Sequence, residues 1–147
     1  MPYNVARKSD TVISLTIHRK IHDGKMEEFK SLYMSVITLG NSTPGCLYGS
    51  MAFNGDLAAI RLGYVNAEVQ LSHLASVGIS AGSALLGSPM YLTALLNEIS
   101  TPVRFDFIGP AAEIAKVKLG IQSVVFSDFP PGIFFFYDLF DGGFNTL

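Results

Sequence analysis

Residues 46–53 read CLYGSMAF, residues 54–55 are Asn-Gly, and residues 56–65 read DLAAIRLGYV. Asn-Gly between two apolar runs suits a two-residue type I′ turn, so the spacing predicts an antiparallel hairpin. With Asn54 and Gly55 as the turn, Phe53 pairs with Asp56 and Tyr48 falls opposite Arg61. Side chains alternate along a strand, which divides the hairpin into two faces. Leu47, Gly49, Met51, Phe53, Ala58, Ile60, Leu62 and Tyr64 share one face. Cys46, Tyr48, Ser50, Ala52, Leu57, Ala59, Arg61 and Gly63 share the other. A one-residue slip would exchange the faces, so the division rests on the turn.

The same two faces extend outward. TVISLTI at 11–17 is alternating and β-branched and reads as a strand, with Ile13, Leu15 and Ile17 opposing Ser14, Thr16 and His18. PVRFDFI at 102–108 sets Val103, Phe105 and Phe107 against Arg104 and Asp106. Between the strands lie helices. Asp23 is a candidate cap, and Met26, Phe29, Tyr33, Val36 and Ile37 recur at helical spacing until Gly40. Asn66 caps a second helix, and Ser88-Pro89 opens a further one carrying Leu92, Leu95, Leu96 and Ile99. Pro110 starts a short helix that Gly120 should end. The tail VVFSDFPPGIFFFYDLF reads as strand, turn and strand, too apolar to hang in water. The order β-α-β-β-α-β is the split βαβ arrangement of ferredoxin-like α+β folds, an antiparallel sheet with helices on one face. One domain accounts for residues 1–147, with a polar lead at 1–9 and an aromatic tail at 120–147.

The second sheet face is the informative one. It carries His18, Tyr48, Arg61, Arg104 and Asp106 among small residues, with none of the lysines and glutamates of a solvated face. Apolar residues make up 49% of the chain and charged residues 15%, against about 25% charged in ordinary domains. A second subunit covering that face would explain the excess. A net charge of −2 excludes an electrostatic case for nucleic acid. Lone Cys46 cannot pair internally, and no signal-like segment opens the sequence, so a reducing cytoplasm is expected. Residues 69–97 lack Asp, Glu, Lys and Arg over a length that could span a bilayer. Gln70, His73, several serines, three glycines and Pro89 argue against that.

TPGCLYGSMAFNGD, GYVNAEVQLSHLASVG and GPAAEIAKV, taken in order, resemble the antibiotic-biosynthesis-monooxygenase-like, or quinol-monooxygenase-like, proteins of the dimeric α/β barrel superfamily. The resemblance spans roughly residues 10–119. It implies two ferredoxin-like sheets packed face to face as a homodimer. It also implies an enclosed pocket for a small aromatic ligand and, in some members, oxygenation of electron-rich aromatics by molecular oxygen without metal or flavin. His73 matches the first histidine of a family motif read as HLASPH, but Val77-Gly78 stands at its end. The chain also has no tryptophan, which relatives place in their pockets.

Such chemistry needs a proton acceptor and donors for the developing anion. Arg61 and His73 are the candidate catalytic pair, with Tyr48, Tyr64, Tyr33 and Asn66 lining or orienting the ligand. Each has a plainer reading. His73 lies off the apolar stripe Ala67, Leu71, Leu74 and Ala75 and could be a surface histidine. Arg61 could pair with Asp106 or a partner carboxylate. Tyr33 and Tyr64 could be core, and Asn66 a cap. His18 and His22 have i,i+4 spacing across a strand end, which does not make a metal site. Neither residues nor resemblance call for a cofactor. The leading expectation is a cofactor-independent monooxygenase of a small phenolic or quinol-type compound. The alternative is a non-catalytic dimeric binding or stress-response protein, and a haem-binding relative comes third.

Overall fold

The computed structural model describes residues 3–5, 11–76, 92–122, 132–139 and 144–146. The elements run β1 (Tyr3–Val5), β2 (Ile13–Ile21), α1 (Met26–Asn41), β3 (Cys46–Asn54), β4 (Leu57–Tyr64) and α2 (Ala67–Ser76). They continue with α3 (Leu92–Ile99), β5 (Ser100–Gly109), α4 (Ala111–Gln122), β6 (Phe134–Asp138) and β7 (Phe144–Thr146). The main sheet has the order β3-β4-β2-β5-β6, and β1 pairs with β7 separately. Its first four strands are the antiparallel ferredoxin-like sheet expected. β6 departs from the expected antiparallel pattern, because it runs parallel to β5 after the α4 crossover. Its aromatic rings explain why the tail folds back: Phe134 stacks on Phe105 at 5.0 Å and Phe136 on Phe107 at 5.2 Å. The 123–131 half of the tail and Ser88-Pro89 lie outside the described residues.

The helix-facing stripe of β2 holds Ile13, Leu15, Ile17 and Ile21, and that of β4 holds Ala58, Ile60, Leu62 and Tyr64. With Phe29, Tyr33, Phe107 and Val117 these residues form a continuous core between sheet and helices.

Three local expectations are corrected. The hairpin turn is Gly55-Asp56, with Asn54 paired to Leu57. Gly55 alone has positive φ, at 62°, as a type II′ turn requires of its first central residue, whereas I′ needs two. The ladder therefore moves by two positions, Tyr48 pairs with Gly63, and Arg61 faces Ser50. A shift of two preserves the faces. At the strand's start, however, a bulge between Cys46 and Tyr48 puts Cys46 beside Tyr64 on the core side and turns Leu47 out, 51% exposed. A second irregularity, between the partners of His18 and Arg19, falls at Pro102–Arg104. Proline cannot donate to the ladder, and Val103 is turned to the outer face, 45% exposed.

Helix ends also differ. α1 begins after a His22–Lys25 turn through Gly24, whose φ of 74° lets the chain reverse, so Asp23 is not its cap. α4 runs through Gly120, where a Cβ would stand 2.7 Å from Leu71 Cδ1. That glycine serves the α2–α4 crossing rather than a helix end. Among the described residues no helix is long and apolar enough to cross a membrane.

Candidate functional site

Asn66 Oδ1 accepts from Val69 N–H at 3.0 Å and caps α2. Glu113 of α4 accepts the Ala67 N–H at 3.0 Å, a second cap supplied from another helix. Burial of α2 against the sheet carries His73 inward, where it is 2% exposed. The surface-histidine reading is therefore replaced. Tyr64, 1% exposed, points up from the end of β4 and bonds to His73 Nδ1 at 2.7 Å. His73 Nε2 lies 3.2 Å from the Val36 carbonyl of α1.

These contacts assign the protons by elimination. A carbonyl only accepts, so His73 carries its hydrogen on Nε2. Nδ1 is then the acceptor, and the Tyr64 O–H donates to it. Burial lowers the imidazole pKa, opposed by the Val36 carbonyl. Burial, with Cys46, Tyr33 and Tyr48 nearby, raises the phenol well above its ordinary value. Both groups are neutral near pH 7, and a proton accepted by Tyr64 can be relayed to Nδ1, leaving an imidazolium held by Val36.

Tyr64 and His73 reach a cleft walled by Ile37 and Asn41 of α1, Cys46, Tyr48 and Gly49 of β3, and Leu62. Its volume is about 40 Å³, room for roughly three waters at about 10–15 Å³ each. Burial raises the Cys46 thiol pKa, so it enters the cleft as a neutral thiol and not a nucleophile.

Arg61 does not join this pair. It lies three residues before Tyr64, on the opposite sheet face and solvent-exposed. The row across that face runs Ser50, Arg61, Thr16, Asp106, Phe135. Thr16 separates Arg61 from Asp106, and Asp106 instead accepts from Arg104 at 2.8 and 3.0 Å. Arg61 does meet Tyr48, its guanidinium carbon 5.8 Å from the ring centroid. The space over Gly63 is taken by that same ring, whose Cε2 lies 2.1 Å from where a Cβ would stand. Tyr33 is core, 3% exposed and 5.4 Å from Phe29; burial raises its pKa to about 12.

Sequence reasoning missed Arg19 and Gln70, both fully sequestered. Arg19 continues the i, i+2 stripe of Ile13, Leu15 and Ile17, a signal visible had the strand been carried past residue 17. Gln70 lies one turn before His73 on α2, and neither its amide nitrogen nor its oxygen has a partner.

Fold and site together describe a ferredoxin-like α+β protein with a buried Tyr–His pair under its helices, and antibiotic-biosynthesis-monooxygenase-like proteins have this fold. The chain is similar to MupZ from Pseudomonas fluorescens, at 22% identity over 90% of this chain and 93% of that one, with a TM-score of 0.69. It is also similar to SnoaB, a cofactor-independent oxygenase from Streptomyces nogalater, at 14% identity over 66% and 90%, TM-score 0.52. A proposed antibiotic biosynthesis monooxygenase from Chloroflexus aurantiacus matches at 15% over 69% and 94%, TM-score 0.53. At these identities the likeness is one of fold. No protein-family model and no curated protein matches the sequence.

Proposed function

We propose that this protein is a cofactor-independent monooxygenase of a small phenolic or quinol-type compound, with Tyr64 and His73 as its proton acceptor. The observation that carries the reading is the buried Tyr64–His73–Val36 chain ending at a cleft. A substrate hydroxyl gives its proton to Tyr64 as Tyr64 gives its own to His73 Nδ1. The ring anion passes an electron to O₂, and recombination of the two radicals forms a C–O bond and a peroxide anion. The proton stored on His73 returns to that peroxide, which loses water to leave a carbonyl. One oxygen atom stays on the product, the other leaves as water, and the substrate supplies both electrons. Likeness in fold to an oxygenase supports this reading.

The same reading assigns Arg61 to assembly rather than chemistry. The outer sheet face exposes Tyr48, Val103, Phe135 and Tyr137 around Arg61 and Arg104, and Arg104 stacks 4.1 Å above the Phe135 ring. A second copy of the chain covering this face would bury those rings and give a homodimer.

Oxygen uptake on a phenol and quinol panel, corrected for autoxidation, tests the chemistry. Tyr64→Phe and His73→Ala should each lower the rate about 10²–10⁴-fold, the worth of a positioned proton acceptor. Uptake surviving both changes refutes the assignment. Tight binding of one compound without uptake favours the non-catalytic binding protein.

A further inference from the structure

Arg19 is the one arginine or lysine buried among the described residues, at 2% exposure. It projects from β2 into the core layer, where α3 packs against β5 and α1. Its Nη1 donates to Asn97 Oδ1 at 2.9 Å and to Ser100 Oγ at 3.1 Å. Both acceptors are neutral. No ion pair among the described residues involves Arg19. Its Nε and the Asn97 Nδ2 are buried without any hydrogen-bond partner.

A sequestered guanidinium stays charged, and a buried charge without an opposing one is costly. Two orphaned donors beside an uncompensated cation define what is missing: an acceptor carrying negative charge. The donor set also specifies its shape. Nη1 is spent on Asn97 and Ser100, so the open donors are the Arg19 Nε–H and the Asn97 amide N–H, two N–H groups that the two oxygens of a carboxylate can accept from. A single buried cation balances one negative charge, which favours a carboxylate over a phosphate dianion.

We propose that Arg19 and Asn97 bind the carboxylate of an organic-acid ligand between the sheet and α3. This anion site stands apart from the Tyr64–His73 cleft and does not rest on the oxygenase reading.

Thermal unfolding of the full chain, with octanoate against octanamide, tests the site. Octanoate should raise Tm, octanamide should not, and Arg19→Gln should abolish the response. Arg19→Gln could fail to fold, so Asn97→Asp is the second arm. It places a carboxylate against Nη1, and should raise Tm without ligand and remove the response to octanoate. Equal shifts by acid and amide, no shift by octanoate, or a lowered Tm for Asn97→Asp would overturn the proposal. Tyr64→Phe should lose oxygen uptake yet keep the octanoate response, which separates failure of this site from failure of the oxygenase reading.

Discussion

Replacing Tyr64 by Phe removes one oxygen and leaves the shape of the core unchanged. The Tyr64 hydroxyl is the hydrogen-bond donor to His73 Nδ1, at 2.7 Å, and His73 is 2% exposed. Without it, a buried acceptor has no donor, which costs about 1–3 kcal/mol. For a chain of this length, each kcal/mol moves Tm by about 2–4 °C, so Tm should fall by about 2–12 °C at pH 7.5. The effect must depend on His73. In the double variant Tyr64→Phe/His73→Leu the orphaned acceptor is gone, so the two costs should be non-additive by about 1–2 kcal/mol. Acid adds a second signature. The folded-state pKa of His73 lies below its ordinary 6.5, so the unfolded chain binds the proton first. Its contribution is complete above pH 6.5 and declines as pH falls below that toward the folded pKa. At pH 5.5 the loss is at most about 1.4 kcal/mol, one proton over one pH unit. Urea unfolding at pH 7.5 and 5.5 for the four proteins of the cycle measures both effects. Additive costs within about 0.3 kcal/mol would refute the buried hydrogen bond.

Three further outcomes follow from the fold and its proposed assembly. Glu113→Ala should lower stability by about 1–2 kcal/mol, because the Ala67 N–H at the start of α2 loses its acceptor. That N–H, then Lys116, holds the Glu113 pKa below the ordinary 4.5, so its contribution is present above pH 4.5 and lost as pH falls below it; Glu113→Gln should flatten this part of the profile in urea titrations. Deleting residues 132–147 strips the stacked cover from Phe105 and Phe107, and size-exclusion chromatography should show aggregation rather than an unchanged species. Light scattering at micromolar concentration should give about twice the 15.9 kDa chain mass, and a stable monomer would remove the covered outer face from the reading.

Most of the fold was legible locally. β-branched alternation in TVISLTI, the Asn-Gly hairpin and the helical spacing from Met26 to Ile37 are short-range signals, and each produced its element. The core face survived even though the turn was misplaced, because side-chain direction repeats every two residues and the ladder moved by two. The outermost details were not legible. Whether Cys46 or Leu47 faces the core depends on a bulge, and a bulge is decided by what the neighbouring strand and helix leave room for. Val103 was misassigned for the same reason, at a proline whose effect on the ladder appears only when its partner strand is present.

The candidate site divides in the same way. The residue types were visible in sequence: one histidine on a helix, tyrosines near it, and an arginine on a strand. Their grouping was not. Parity along β4 already separates Arg61 from Tyr64, but the sheet alone does not say which face receives His73. That was decided by α2 docking between β4 and α1, which brings Tyr64, His73 and the Val36 carbonyl within hydrogen-bonding range across 37 residues of chain. Arg19 shows the reverse case. Its place in the apolar stripe was written in the sequence, while its lack of a charged partner exists only once α3 closes over it.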